Sequence, residues 1–182
     1  MLYLNQLTKE DERIKIVNNK KNMGTLYSRS IGALSANGKY IFPVDSDDML
    51  LDKDVFSTIT NISDKGNFDI VVFNSINTNL KPDVFSTNIN LLYFEGGHKP
   101  NVVLQQPELG YYPFQDNEKN RGVIYMEVYI FAKCIKTKIY KKALNKLGIE
   151  RYSRHMILED DLVTNYIIFN TANILKFVPK YG

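Results

Sequence analysis

Tryptophan is absent from the chain and cysteine occurs once, as Cys134. A lone thiol closes no intramolecular disulfide and a four-cysteine zinc site is excluded, so a reducing compartment is the default. The two histidines, His98 and His155, lack the short spacing of metal ligands. Long apolar runs are missing as well. The most apolar windows, residues 122–135 and 162–169, are broken by Glu127, Lys133 and Asn165 and fall short of the ~20 residues that cross a bilayer. Residues 1–8 run straight into Lys9, Glu10, Asp11, Glu12 and Arg13, without the apolar core and cleavage site of a signal peptide. The expectation is therefore a cytoplasmic chain with no transmembrane segment. A surplus of one charge is lacking too: 23 Lys+Arg against 20 Asp+Glu leave +3, too little for the basic field on which nucleic-acid binders rely.

What is present reads as one ordinary globular domain. Its 182 residues are 44% hydrophobic and 24% charged, enough apolar material for a core. Residues 13–17 (RIKIV) alternate as a strand does, and Asn22-Met23-Gly24 supplies a turn. A helix is expected over residues 25–36, capped by Thr25, with Leu26, Ile31 and Leu34 at roughly helical spacing and Asn37-Gly38 as its stop. Residues 39–44 (KYIFPV) read as a buried strand ending in Asp45-Ser46-Asp47-Asp48. Asp52 can cap a second helix with Val55, Phe56, Ile59 and Ile62 as its stripe, and residues 68–73 (FDIVVF) read as the next buried strand. This β-α-β-α-β alternation favours a parallel sheet flanked by helices, with ligands beyond the carboxyl ends of the strands.

The middle of the chain, residues 74–121, reads as loops and a small hairpin, with short strands near Val84-Phe85 and residues 91–94. Residues 123–139 are largely strand formers, and residues 140–147 form a helix ending at Gly148. Residues 160–172 read as a helix and residues 174–178 as a strand. Lys133, Lys136, Lys138, Lys141, Lys142 and Lys146 form a basic cluster, either a solvated face or a contact for phosphate.

Asp45 and Asp47, two apart on an extended segment, can turn both carboxylates to one side and hold a hard divalent cation. Magnesium and manganese take one or two protein carboxylates and complete their shell with water and phosphate oxygens, which suits a nucleotide diphosphate. Acids in this position also serve simply as caps for the next turn. A helix-loop-helix calcium site is excluded, because Met49, Leu50 and Phe56 stand where it needs an oxygen ligand, a glycine and a glutamate. A phosphatase with an aspartyl nucleophile would continue its D-x-D differently from Asp48-Met49.

The ordered run Asn22-Met23-Gly24, Arg29, Ser35-Ala36-Asn37-Gly38-Lys39-Tyr40-Ile41, Asp45-Ser46-Asp47-Asp48 and Met49-Leu50 resembles the N-x-G…aRN…A-x-G-x-Y-I…D-S-D-D signature of family-two inverting glycosyltransferases. Ser30 stands where that family usually has Asn. Residues 136–147 (KTKIYKKALNKL) resemble a further family segment, and Glu159-Asp160-Asp161 resembles the family's acidic motif. The resemblance implies a GT-A-like α/β fold with a mostly parallel nucleotide-sugar transferase sheet. It implies Asn22, Gly24, Arg29, Asp45 and Asp47 as donor-binding residues, with Asp47 and Asp45 on Mn2+ or Mg2+. The donor would be a nucleotide-diphosphate sugar, first choice a UDP-sugar, and the acceptor a hydroxyl of a glycan or another molecule.

Inversion needs one base to take the acceptor proton, and the resemblance assigns it to Asp160. A helix N-terminus favours an ionised carboxylate, although first-turn acids are also common as structural features. The family's usual opening strand and its V-D-D-G-S-x-D motif have no counterpart here. The expectation is thus a single partial domain over residues 1–182, lacking the first strand or strands, with residues 1–75 as the remaining nucleotide part and 76–182 as the acceptor side. An open sheet edge of this kind invites self-association. The rival reading is a non-catalytic remnant that acts as an interaction module or an inactive fragment.

Overall fold

A computed structural model describes residues 2–50, 52–74, 76–77, 90–91, 103–106, 130–149 and 160–181. In chain order the elements are helices α1 (Leu2–Glu10) and α2 (Thr25–Ser35), strand β1 (Tyr40–Ile41), helix α3 (Val55–Gly66), and strands β2 (Ile70–Asn74), β3 (Ile76–Asn77), β4 (Asn90–Leu91), β5 (Val103–Gln105) and β6 (Lys133–Lys136). Helices α4 (Thr137–Leu147) and α5 (Asp160–Phe169) and strand β7 (Ile174–Tyr181) complete the set.

The main sheet has the order β1-β6-β2-β7-β5. Its central strand β2 is buried on both sides, which explains the unbroken apolar run Ile70, Val71, Val72, Phe73. Alternate residues divide between two cores. Ile70, Val72, Ile135, Leu175 and Phe177 pack with Ala33, Tyr140, Leu144, Ile168 and Phe169 from α2, α4 and α5. Val71, Phe73, Cys134 and Val178 pack with Val55 and Ile59 of α3. The result is an α/β sandwich, and each fully buried aliphatic or aromatic side chain contributes about 1.5–3 kcal/mol.

The sheet is mixed where a mostly parallel one was expected. β2 and β7 are parallel, but β6 lies between β1 and β2 and runs antiparallel to both, while β5 runs antiparallel to β7. β1 and β2 therefore share a direction without pairing, because a strand from late in the chain is inserted between them. β5 has no counterpart in the sequence expectations. β3 and β4 form a small antiparallel pair; β4 overlaps the strand expected near residues 91–94 at Leu91, β3 was not expected, and Val84-Phe85 lies outside the described residues.

Several local expectations need correction. Residues 13–17 form no strand; no described strand runs beside them, and Ile14 and Val17 are exposed. Thr25 is the first helical residue rather than a cap, a place taken by Gly24 with φ 81°, a conformation that costs glycine little. The buried residues of α2 are Leu26, Ser30 and Ala33; Leu34 packs half-buried against the same core, and Ile31 is half-covered. The strand of residues 39–44 shrinks to two residues, and Asp52 caps the turn before α3 by accepting the Asp54 N–H at 3.0 Å. Phe56 is exposed and packs its ring on Phe42 with centroids 4.7 Å apart.

Helix α4 begins three residues earlier than expected, at Thr137, and ends at Gly148 in the left-handed region at φ 67°. The lysine cluster does not form one solvated face, since Lys133 and Lys136 are buried. Lys136 Nζ is 3.1 Å from Asp69 Oδ1 and donates to Asn67 O at 2.8 Å and Asn67 Oδ1 at 2.7 Å. Asp69 Oδ2 in turn accepts the Asn173 N–H at 2.8 Å. This satisfied pair ties the start of β2 to the end of β6 and the approach to β7, as a buried charge requires.

Candidate functional site

Site construction starts in the loop before α2. Asn22 Oδ1 accepts the Gly24 N–H at 3.0 Å, a local turn that side chains of this type form readily. Gly24 O then accepts from Ser28 N at 3.2 Å and from Ser28 Oγ at 2.7 Å. Asn22 and Gly24 thus set how the chain enters α2. One turn further on, Arg29 points to the carboxyl end of β1.

There Arg29 Nη2 reaches Asp45 Oδ1 at 2.6 Å, and Arg29 Nη1 reaches Asp160 Oδ2 at 3.1 Å. The same Nη1 also bonds Asp161 Oδ1. Asp160 and Asp161 open α5, so one guanidinium gathers acids from two distant parts of the chain. All four side chains are mostly covered, with Asp161 the least exposed at 16%. Asp161 Oδ2 accepts the Ile130 N–H at 3.2 Å. Burial opposes the charge on Arg29, yet the Asp45 hydrogen bond and the charges of Asp161, Asp45 and Asp160 hold its pKa above the ordinary value. Burial pushes the Asp161 carboxyl up, with the Arg29 charge and the Ile130 N–H pulling the other way.

The D-S-D-D segment is a turn rather than an extended run: Asp48 N–H donates to Asp45 O at 3.1 Å. The alternation argument for Asp45 and Asp47 consequently lapses. Asp45 faces Arg29, while Asp47 lies exposed on the turn. Among the described residues no three His, Cys, Asp or Glu side chains form a metal cage. Burial raises the Asp48 carboxyl, and the neighbouring Asp45 and Asp47 charges act in the same direction.

A cavity of about 250 Å³ adjoins Arg29 and Asp45, walled by Gly32, Ala33, Ala36, Ile41, Phe42, Pro43, Val44 and Tyr140. Tyr140 of α4 is buried, which pushes its phenol up to about 12. Its neighbour Lys141 donates to Ala36 O at 2.8 Å, and Thr137 Oγ1 donates to Gly38 O at 2.6 Å, so α4 clamps the loop between α2 and β1. The structure therefore brings together Arg29, Asp45 and Asp160 and adds Asp161, Ile130 and Tyr140. Of these additions only Asp161 carried a sequence signal, as the third acid of Glu159-Asp160-Asp161. Glu159, His98 and His155 lie outside the described residues.

Comparison with known proteins identifies the family and the fold. The model of "Glycosyl transferase family 2" matches residues 3–132. An uncharacterized glycosyltransferase of Haemophilus influenzae is 43% identical over 47 residues, which are 26% of this chain and 15% of that protein. The crystal structure of S. aureus TarS 1–349 superimposes with a TM-score of 0.63 at 18% identity, covering all of this chain and 47% of that one. The chain thus spans about half of that structure, and the two share a fold.

Proposed function

Since the chain belongs to glycosyl transferase family 2 and has the GT-A fold, we propose that its site takes a nucleotide-diphosphate sugar, a UDP-sugar first, and passes the sugar with inversion to a hydroxyl of a glycan or other acceptor. The transfer is of the hexosyl type and depends on a divalent cation. The observation that carries this reading is the meeting of Asp45, from the strand end, with Asp160 and Asp161, from α5, on one guanidinium. In this reading Asp45 serves the donor and Asp160 the acceptor, and their closeness supports it.

Three carboxylates against one guanidinium leave a formal charge of −2 (3 − 1), which attracts a cation. Asp45 and Asp47 would hold Mn2+ or Mg2+; a donor set of one or two carboxylates, rather than a closed cage, is what such ions take when phosphate supplies the rest. When bound, the cation neutralises charge on the departing diphosphate. Arg29 presents a planar fork suited to phosphate oxygens. Asn22 and Gly24 shape the loop on which Arg29 depends. Asp160 accepts the acceptor hydroxyl proton while the acceptor oxygen bonds to the anomeric carbon. The bond to the diphosphate breaks on the opposite face, and the nucleotide diphosphate leaves with the bonding pair.

The test is calorimetry of the chain with a panel of nucleotide sugars in the presence of manganese. Binding of one donor, lost in Asp47→Ala, supports the reading. A folded chain that binds none of them supports the interaction-module reading instead.

A further inference from the structure

The two acids that open α5 are not equivalent. Asp160 uses one carboxylate oxygen, Oδ2, on Arg29, and among the described residues its Oδ1 has no partner. Asp161 uses both: Oδ1 holds Arg29 Nη1 and Oδ2 holds the Ile130 N–H at 3.2 Å. Each carboxylate oxygen keeps a second lone pair, so the difference between the two acids is one of restraint: Asp161 is held at both oxygens and Asp160 at one. Asp161 is thus well placed to fix the group it holds.

Its second partner is itself anchored. Two residues after Ile130, Ala132 has φ 54°, a conformation that non-glycine residues adopt at a cost and that surrounding structure must enforce. The Ala132 carbonyl accepts the Phe73 N–H at 3.0 Å, so the bend carrying Ile130 is pinned to the end of the central strand. Two hydrogen bonds, joined by the backbone of residues 130–132, therefore link β2 to Asp161 and through it to Arg29.

From this geometry we infer that Asp161 is a positioning residue: it locks the Arg29 guanidinium so that its two ends meet Asp45 and Asp160 at once. The inference rests on the proposed transfer reaction for its catalytic consequence, but the hold on Arg29 can be measured without activity. Misplacing a catalytic array by about 1 Å costs on the order of 100-fold in rate, so Asp161→Asn, which keeps the shape and loses the charge, should lower kcat/KM by roughly 10- to 100-fold, through kcat and, because Arg29 also serves the donor phosphates, through the donor KM. Asp161→Asn and Arg29→Lys should be non-additive, because one acts through the other.

The experiment combines these kinetics with ¹⁵N NMR of the Arg29 guanidinium in the whole chain, with melting temperature as the control for folding. The expected result is hindered guanidinium rotation in the parent and in Asp160→Asn, and fast rotation in Asp161→Asn. Asp161→Glu serves as the second variant, expected to restore part of the restriction if Asp161→Asn folds poorly. Unchanged rotation in Asp161→Asn, or additive kinetic effects with Arg29→Lys, overturns the inference. A parent without transferase activity whose guanidinium is still released by Asp161→Asn contradicts the proposed function and upholds the hold on Arg29.

Discussion

Arg29 Nη1 lies 3.1 Å from Asp160 Oδ2 although 131 positions separate the two residues. Helices α2 and α5 pack on the same side of the sheet, and this packing brings Arg29 to Asp160. If Asp160 is the base, Asp160→Asn should keep donor binding and lower turnover by about 10²- to 10⁴-fold. Steady-state kinetics beside donor calorimetry check this; full turnover in the variant excludes Asp160 as the base.

Asp47→Ala should abolish the stabilisation that manganese and a nucleotide diphosphate confer together, and Asp45→Ala should weaken it. A ligand at ~100 times its dissociation constant stabilises by about 2.7 kcal/mol, which a thermal-shift assay reads easily. An equal shift in Asp47→Ala and parent would remove Asp47 from the cation site.

Asp69→Ala should destabilise the fold by about 3–5 kcal/mol, because it leaves Lys136 buried without its charge partner. Urea denaturation measures this. A loss below about 1 kcal/mol, the range of an exposed pair, would mean that the pair does not bind β2 to β6.

Cys134, on β6, is buried in the core that α3 covers, and burial pushes its thiol up to about 12. Its folded pKa lies above that of the exposed thiol, so the unfolded chain loses its proton first. The contribution to stability is intact below pH about 9 and is lost as pH rises toward about 12. With no other cysteine in the chain, labelling by a thiol reagent at pH ~8.5 should proceed only through opening of the fold. Labelling as fast as in denaturant would contradict the burial.

Much of this fold could be read from local sequence, and the exceptions have physical causes. Helix α3, strand β2 and the Gly148 stop were legible because their patterns are local: a stripe, a doubly buried apolar run and a left-handed cap. Residues 13–17 alternate like a strand yet pair with no described one, since alternation does not supply a neighbour. The mixed sheet was hidden because the place of β6 between β1 and β2 is a long-range fact. At the site, Asp45 and Asp160 were visible as acids in motifs. Their meeting on Arg29 and the grip of Ile130 on Asp161 were not, because a backbone N–H carries no residue signature.

The most direct test of the account is titration of the chain with nucleotide sugars and manganese, followed by assay for nucleotide diphosphate release in the presence of hydroxyl acceptors. The account predicts saturable donor binding that requires Asp47 and Arg29, and release that requires Asp160. A cooperatively folded chain that binds no donor at millimolar concentration, with or without manganese, would contradict it.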